Sequence, residues 1–345
     1  MGIIKAMGKN PSGATLRKIE KSVNYKEGAF QNISPSPVMV EKGDFFKIFK
    51  KFLNKPKDTM PPAPLPSIKT DLKNLPDGSP VLVWFGHSSY LLKIEGKHIL
   101  VDPVFSGYAA PFKFKSAKSF DGTNIYRVDD MPPIDILLIT HDHYDHLDYK
   151  TVLKLKPTYI VTSMGVTSHL DYWGFDMDKV TELDWNDEAE IMPGITFISK
   201  TARHFSGRGF KRAKTLWASF ILKTKNHKIY LGGDSGYDRH FREIGEQHGP
   251  FDLALLESGQ YNEAWKNIHM MPEETVQASI DLKAKTLLPV HWGKFSLALH
   301  PWNEPIERAI KKAEELKVNM TTPMIGEPVI IGNNYPISKW WREVL

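Results

Sequence analysis

Residues 140–148 read T-H-D-H-Y-D-H-L-D, and within them His141, His143, Asp145 and His146 bring three imidazoles and a carboxylate into six consecutive positions. Neutral imidazole nitrogens and a hard carboxylate oxygen around one small volume suit zinc or a similar first-row metal. A single histidine in a solvated turn would call for no chemistry. The spacing H-x-H-x-D-H does, and it points to a metal site.

The elements flanking the motif explain how it would be held. Residues 134–140 (I-D-I-L-L-I-T) form a nearly continuous apolar run of strand length, the pattern of a strand buried on both faces. The histidines begin where that run ends, so the ligands are expected on a loop at the C-terminal edge of a buried sheet. Residues 147–155 read as a short helix, with Asp145 and His146 at its N-terminal end.

H-x-H-x-D-H is also the first metal motif of the metallo-β-lactamase superfamily, and the chain resembles that superfamily at three further points. T-A-R-H-F-S-G-R places His204 after an apolar run at 195–199, L-G-G-D-S-G-Y places Asp234 after 228–231, and P-V-H-W-G-K-F places His291 after 286–290. Within the superfamily, W-F-G-H-S-S-Y-L-L (84–92), I-L-V-D-P-V-F-S (99–106), M-P-P-I-D (131–135), H-M-M-P-E-E (269–274) and H-W-G-K-F (291–295) are similar to the N-acyl-phosphatidylethanolamine-hydrolysing phospholipase D group and its bacterial relatives. The similarity runs from about residue 80 to about residue 317.

The resemblance implies an α/β fold, the αββα four-layer sandwich of metallo-β-lactamases. It implies one metal on His141, His143 and His204, a second on Asp145, His146 and His291, and Asp234 bridging them. Two zinc ions per chain are expected, with iron or manganese as alternatives. Such a pair shares and acidifies a water, so hydrolysis by a bridging hydroxide follows rather than redox chemistry. The flavodiiron branch carries glutamate at the position of His143. Asp102, in V-D-P, matches a family aspartate that orients a ligand imidazole; the plain alternative is a turn aspartate before Pro103. His269 is expected, with Asp145, among the catalytic groups, touching the leaving group or a phosphate. His87 and His300 are further candidates for facing the site or the substrate. His98, His169, His227, His240 and His248 carry no motif and read as surface residues.

Two substrate classes follow from the resemblance. The first is an N-acyl-phosphatidylethanolamine-like lipid cleaved by a phosphodiesterase of phospholipase D type. The second is a lactone or other small molecule, as in the ascorbate-6-phosphate lactonase-like branch, which shares similar G-H-S and D-P segments. A metal-stabilised scaffold is the non-enzyme alternative, and a complete ligand set counts against it, since a scaffold needs no open water position. No nucleic-acid partner is expected, because the inserted domain of nucleic-acid-processing relatives has no room between Asp234 and His291.

Composition agrees with a metalloenzyme built on histidine and carboxylate. The 345 residues include no cysteine, so thiolate ligands and disulfides are excluded, and the formal net charge is a modest +5. No apolar run reaches the roughly 18 residues of a membrane span. The opening M-G-I-I-K-A-M-G-K-N lacks the apolar stretch of a secretory signal, and Ala6 stands where a myristoylation pattern needs serine or threonine, so a cytoplasmic location is expected. Residues 1–66 read as an N-terminal extension and 67–345 as the catalytic domain. In 45–57, Phe45, Phe49, Phe52 and Leu53 recur at helical spacing among Lys47, Lys50 and Lys51. Such a helix either lies on an anionic membrane, giving peripheral contact at the inner membrane face, or packs its aromatic stripe on the core. The proline-rich 56–66 reads as a stiff linker. The loop 103–120 either lines an apolar channel, with Lys113 or Lys115 meeting a phosphate, or is an ordinary surface loop. An opening meander is expected at 81–85, 90–94 and 98–102, and helices at 272–282 and 304–316.

Overall fold

The computed structural model describes residues 2–38, 50, 52 and 54–344. Most of the lysine- and phenylalanine-rich segment 45–57 lies outside the described residues. Two large sheets dominate. The first orders seven strands as β15-β3-β4-β5-β6-β7-β8, where β3 is Val81–Trp84, β4 Tyr90–Ile94, β5 Lys97–Val101, β6 Ile136–Ile139, β7 Tyr159–Ser163, β8 Val180–Leu183 and β15 Pro328–Ile330. The second orders six strands as β14-β13-β12-β11-β10-β9, where β9 is Glu188–Met192, β10 Ile195–Lys200, β11 Ser219–Lys223, β12 Lys228–Leu231, β13 Leu253–Glu257 and β14 Leu287–Val290. A small hairpin of β1 (Tyr25–Lys26) and β2 (Ala29–Phe30) precedes them.

The four layers follow from the alternation of side chains along each strand. Leu82, Trp84, Leu92, Val101 and Leu138 of the first sheet meet Phe197, Phe220, Leu231 and Leu255 of the second in one shared core. Their neighbours point the other way, as a period of two requires. Val83, Leu91, Leu100 and Leu137 pack with Leu170 and Trp173 of the helix Thr167–Trp173. Ile221, Tyr230, Ala254 and Leu287 pack with Phe241, Val276 and Ala309 of the helices His240–His248, Pro272–Asp281 and Glu304–Leu316. Strands such as β3, β6, β13 and β14 are buried on both faces because each sheet is covered on both, and every fully buried aliphatic side chain contributes roughly 1.5–3 kcal/mol. The expected αββα sandwich is the observed one.

The expected meander is present, and β4 and the helix Glu304–Leu316 keep their expected limits. The helix after the metal motif is shorter than expected, Tyr149–Val152; it starts after Asp148, whose side chain caps it by accepting from Lys150 N at 3.2 Å. Contacts cross the expected boundary at residue 66. Ile19 and Phe30 sit in the core between the sheets. Leu65 is buried, its N–H donating to Asp121 O at 2.9 Å, and Trp302 N donates to Asp58 O at 2.8 Å, so the proline-rich stretch lies against the domain. Among the described residues, no helix is long and apolar enough to cross a membrane.

Candidate metal centre

The strands deliver their chemistry at one edge. His87 follows β3, Asp102 follows β5, the 141–146 motif follows β6, His204 follows β10, Asp234 follows β12 and His291 follows β14. Loops at strand ends carry polar groups that the apolar strands cannot, while the sheets fix where those loops stand. The local backbone is unusual: His87, Asp102, Gln260 and His291 all adopt positive φ, between 41° and 66°. Gly233 supplies the turn that aims Asp234, with φ +60°, and a Cβ there would lie 2.9 Å from Ala218 O.

The seven motif residues converge. His141, His143, His204 and Asp234 each place one donor atom within 4.8 Å of the others, and so do His87, Asp145, His146 and His291. A third set, Asp234, His269 and His291, overlaps both. Asp234 stands between the two histidine groups: its Oδ2 is 3.1 Å from His146 Nε2 and 3.7 Å from both His141 Nε2 and His204 Nε2, and its Oδ1 is 3.2 Å from His291 Nδ1. The second group holds one member more than the resemblance implied, since His87 Nε2 lies 2.9 Å from Asp145 Oδ2.

The residues fit metal ions on three observations. His141 Nε2 and His143 Nδ1 are 3.0 Å apart, and His143 Nδ1 is 3.2 Å from His204 Nε2, so three imidazoles direct ring nitrogens at one point. Asp234 Oδ1 and His146 Nε2 are buried without a hydrogen-bond partner among the described residues. Such orphaned atoms are costly unless a cation meets them. The imidazoles are also in the form a metal needs. Burial lowers His87 and His143 to about 4 and holds His141, His204 and His291 well below the usual range, so their lone pairs are free. Burial pushes Asp234 up to about 6, a cost that a bound cation would remove. His146 is the exception: burial opposes its proton, but the carboxylates of Asp234, Asp102 and Asp145 outweigh it and raise the group well above its usual value.

Three of the rings, His146, His204 and His269, are turned by a partner on the far nitrogen. His146 Nδ1 donates to Asp102 Oδ2 at 2.7 Å, and Asp102 is itself held by Thr140 N at 2.8 Å and Thr140 Oγ1 at 2.6 Å. The aspartate expected to orient an imidazole is so placed. His204 Nδ1 donates to Ile268 O at 2.8 Å. His269 Nδ1 donates to Glu257 Oε2 at 2.9 Å, while Glu257 Oε1 accepts from Met270 N at 2.9 Å and Ser235 N at 3.3 Å. Such outer partners fix which nitrogen faces the metal or the substrate.

Some placements differ from the sequence reading. His300 stands outside the cluster: its Nε2 accepts from Gln260 N at 2.9 Å and its ring stacks on Tyr261. His169 and His240, expected at the surface, are buried. His169 Nε2 donates to Asp142 Oδ2 at 3.1 Å, and Asp142 also accepts from Gly207 N at 2.7 Å and Thr215 Oγ1 at 2.9 Å, so this pair anchors the loop between His141 and His143. Phe114, Lys115 and Phe120 of the 103–120 loop line a separate cleft, not the cavity over the cluster.

Sequence reasoning missed Glu257, Gln260 and Asn32. Glu257 ends the run L-A-L-L-E, so the strand-end logic that located the histidines would have found it. Asn32 and Gln260 carry no such signal. A cavity of about 240 Å³ lies over the cluster, with His143, Asp145, Asp234, His269 and His291 on its floor and Val38, Phe205, Trp265, Ile268 and Leu297 on its walls.

This αββα frame with histidines and aspartates at one sheet edge defines a class, and the comparisons agree. The beta-lactamase superfamily domain model matches residues 97–292. An uncharacterised protein of Mycobacterium tuberculosis is 39% identical over 337 residues, 95% of this chain and 90% of that one. An N-acyl-phosphatidylethanolamine-hydrolysing phospholipase D of Caenorhabditis elegans is 31% identical over 269 residues, 71% of this chain and 74% of that one. A metallo hydrolase from Ignicoccus hospitalis shares the fold with a TM-score of 0.55 at 20% identity, over 73% of this chain and 98% of that one. The chain belongs to the metallo-β-lactamase superfamily and is a metal-dependent hydrolase.

Proposed function

We propose that the protein is a phosphodiesterase of phospholipase D type acting on N-acyl-phosphatidylethanolamine-like lipids. The observation that carries the reading is the cavity over the cluster, whose floor is histidine and carboxylate and whose walls are apolar, in a chain similar along most of its length to a phospholipase D of that specificity. His141, His143 and His204 would hold one zinc ion and Asp145, His146 and His291 a second, with Asp234 shared. Bound there, the ions supply Lewis acidity and a water acidified toward neutral pH.

The chain's own groups do the rest. Glu257 holds the His269 ring proton on Nδ1, so Nε2 faces the cavity with its lone pair free, where it would take a proton from the attacking water and then pass it to the leaving oxygen. Asp145, steadied by His87, accepts a hydrogen bond from the attacking water. Val38, Phe205, Trp265 and Leu297 hold apolar chain and keep bulk water from the floor, which strengthens every charge interaction there.

The test is hydrolysis of a synthetic N-acyl-phosphatidylethanolamine by the zinc-loaded protein in ¹⁸O water. Phosphatidic acid carrying one ¹⁸O, with release of N-acylethanolamine, is the expected result. Turnover of lactones with no turnover of the phospholipid would replace this reading with the small-molecule hydrolase.

A further inference from the structure

Beside the metal cavity lies a larger cleft of about 800 Å³, which the catalytic reading does not use. It is lined by Met60, Pro62 and Pro64 of the proline-rich stretch, with Lys55 before them, and by Phe114 and Phe120. The prolines have no N–H to offer and little backbone freedom, so the wall they form is apolar and keeps its shape without a ligand. The two cavities meet at a peptide: Ser296 lines the cleft, and Leu297, whose N–H donates to Gln260 Oε1 at 2.8 Å, lines the metal cavity.

The charge in this cleft is unbalanced. Lys118 is paired with Asp121 at 2.9 Å. Lys55 is not paired with any carboxylate among the described residues; its Nζ donates to Ser296 O at 2.5 Å and lies 5.5 Å from the Phe52 ring. Burial lowers its pKa to about 8, and no acid among the described residues restores it. An ammonium has three donors and Ser296 O takes one, so a partly desolvated Lys55 has donors left that an anion would satisfy and stabilise. Lys115 adds a second positive charge at the rim.

We infer that this cleft is a second ligand site, separate from the metal centre, for an aliphatic anion: a carboxylate or phosphate head on Lys55 and an alkyl chain along the proline wall. The inference does not depend on the phosphodiesterase reading, because it concerns binding and not turnover.

Titration calorimetry of the metal-loaded protein with dodecanoate, dodecyl phosphate and dodecanol tests it. One anion should bind per chain, and dodecanol at least tenfold more weakly. The stronger of the two anions identifies the head group. Lys55→Gln should lower anion affinity about tenfold while leaving dodecanol unchanged. Ser116→Trp, which fills the cleft from its exposed wall, should abolish binding of all three. Absence of binding by wild type, or binding that neither variant alters, would overturn the site, since an anion held instead at the metals would be indifferent to both changes.

Discussion

Asn32 grips His204 by both of its backbone groups: the Asn32 side chain donates from Nδ2 to His204 O at 2.7 Å and accepts from His204 N at Oδ1 at 3.1 Å, while Trp217 Nε1 donates to the same Oδ1 at 3.1 Å. The N-terminal segment is thereby part of the metal site, although it lies before residue 97, where the family match begins. Groups that orient metal-holding residues typically cost 10–100-fold in affinity when removed. Asn32→Ala should weaken zinc binding by roughly tenfold or more, read by competition with a chromophoric chelator. Asn24→Ala, which loses a bond to Asp184 away from the site, should leave it unchanged.

The position of Asp234 between both histidine groups sets a second expectation. Asp234→Asn keeps the shape and removes the negative charge between two cations, so bound metal should fall from two per chain toward one by elemental analysis. Turnover should drop by about 100-fold or more while circular dichroism stays native. Two tightly held metals in the variant would show that the shared carboxylate is not needed.

Glu257 is expected to act through His269. Its Oε1 is occupied by backbone N–H groups, so in Glu257→Gln the amide NH₂ would face His269 Nδ1 and move the ring proton to Nε2. Nitrogen NMR of the metal-loaded protein should report the opposite tautomer, with kcat lowered roughly 10–100-fold. Combined with His269→Ala, the glutamine should add almost nothing, as expected for groups that act as one unit. Additive losses would separate the two residues.

Lys294 gives a pH signature of stability. It is 1% exposed, donates to Phe85 O and Val104 O at 3.0 Å each, and burial lowers its pKa to about 7 from the usual 10.5. Between those values the unfolded chain holds the proton and the folded chain does not, so folding becomes more favourable as pH rises from 7 to 10.5. Below that window the buried charge opposes folding in full. Lys294→Met removes this dependence, and urea melts should show wild type gaining stability relative to the variant between pH 7 and pH 9.5. A constant difference would mean that the lysine stays charged throughout.

The strands, the two long helices near the C-terminus and the motif residues are legible in the chain because each depends on local pattern. Apolar runs of strand length mark buried strands, and a ligand placed directly after such a run inherits a position at the sheet edge. Tertiary structure decided everything that joins residues distant in sequence. It set His87 beside Asp145, Glu257 behind His269 and Asn32 around His204, pairs separated by 58, 12 and 172 positions. It also took His169 and His240 from an expected surface into the interior. A lone polar residue has no periodicity to reveal its partner. Its role is set by which strand end or loop the packed sheets bring against it, and only the folded chain specifies that.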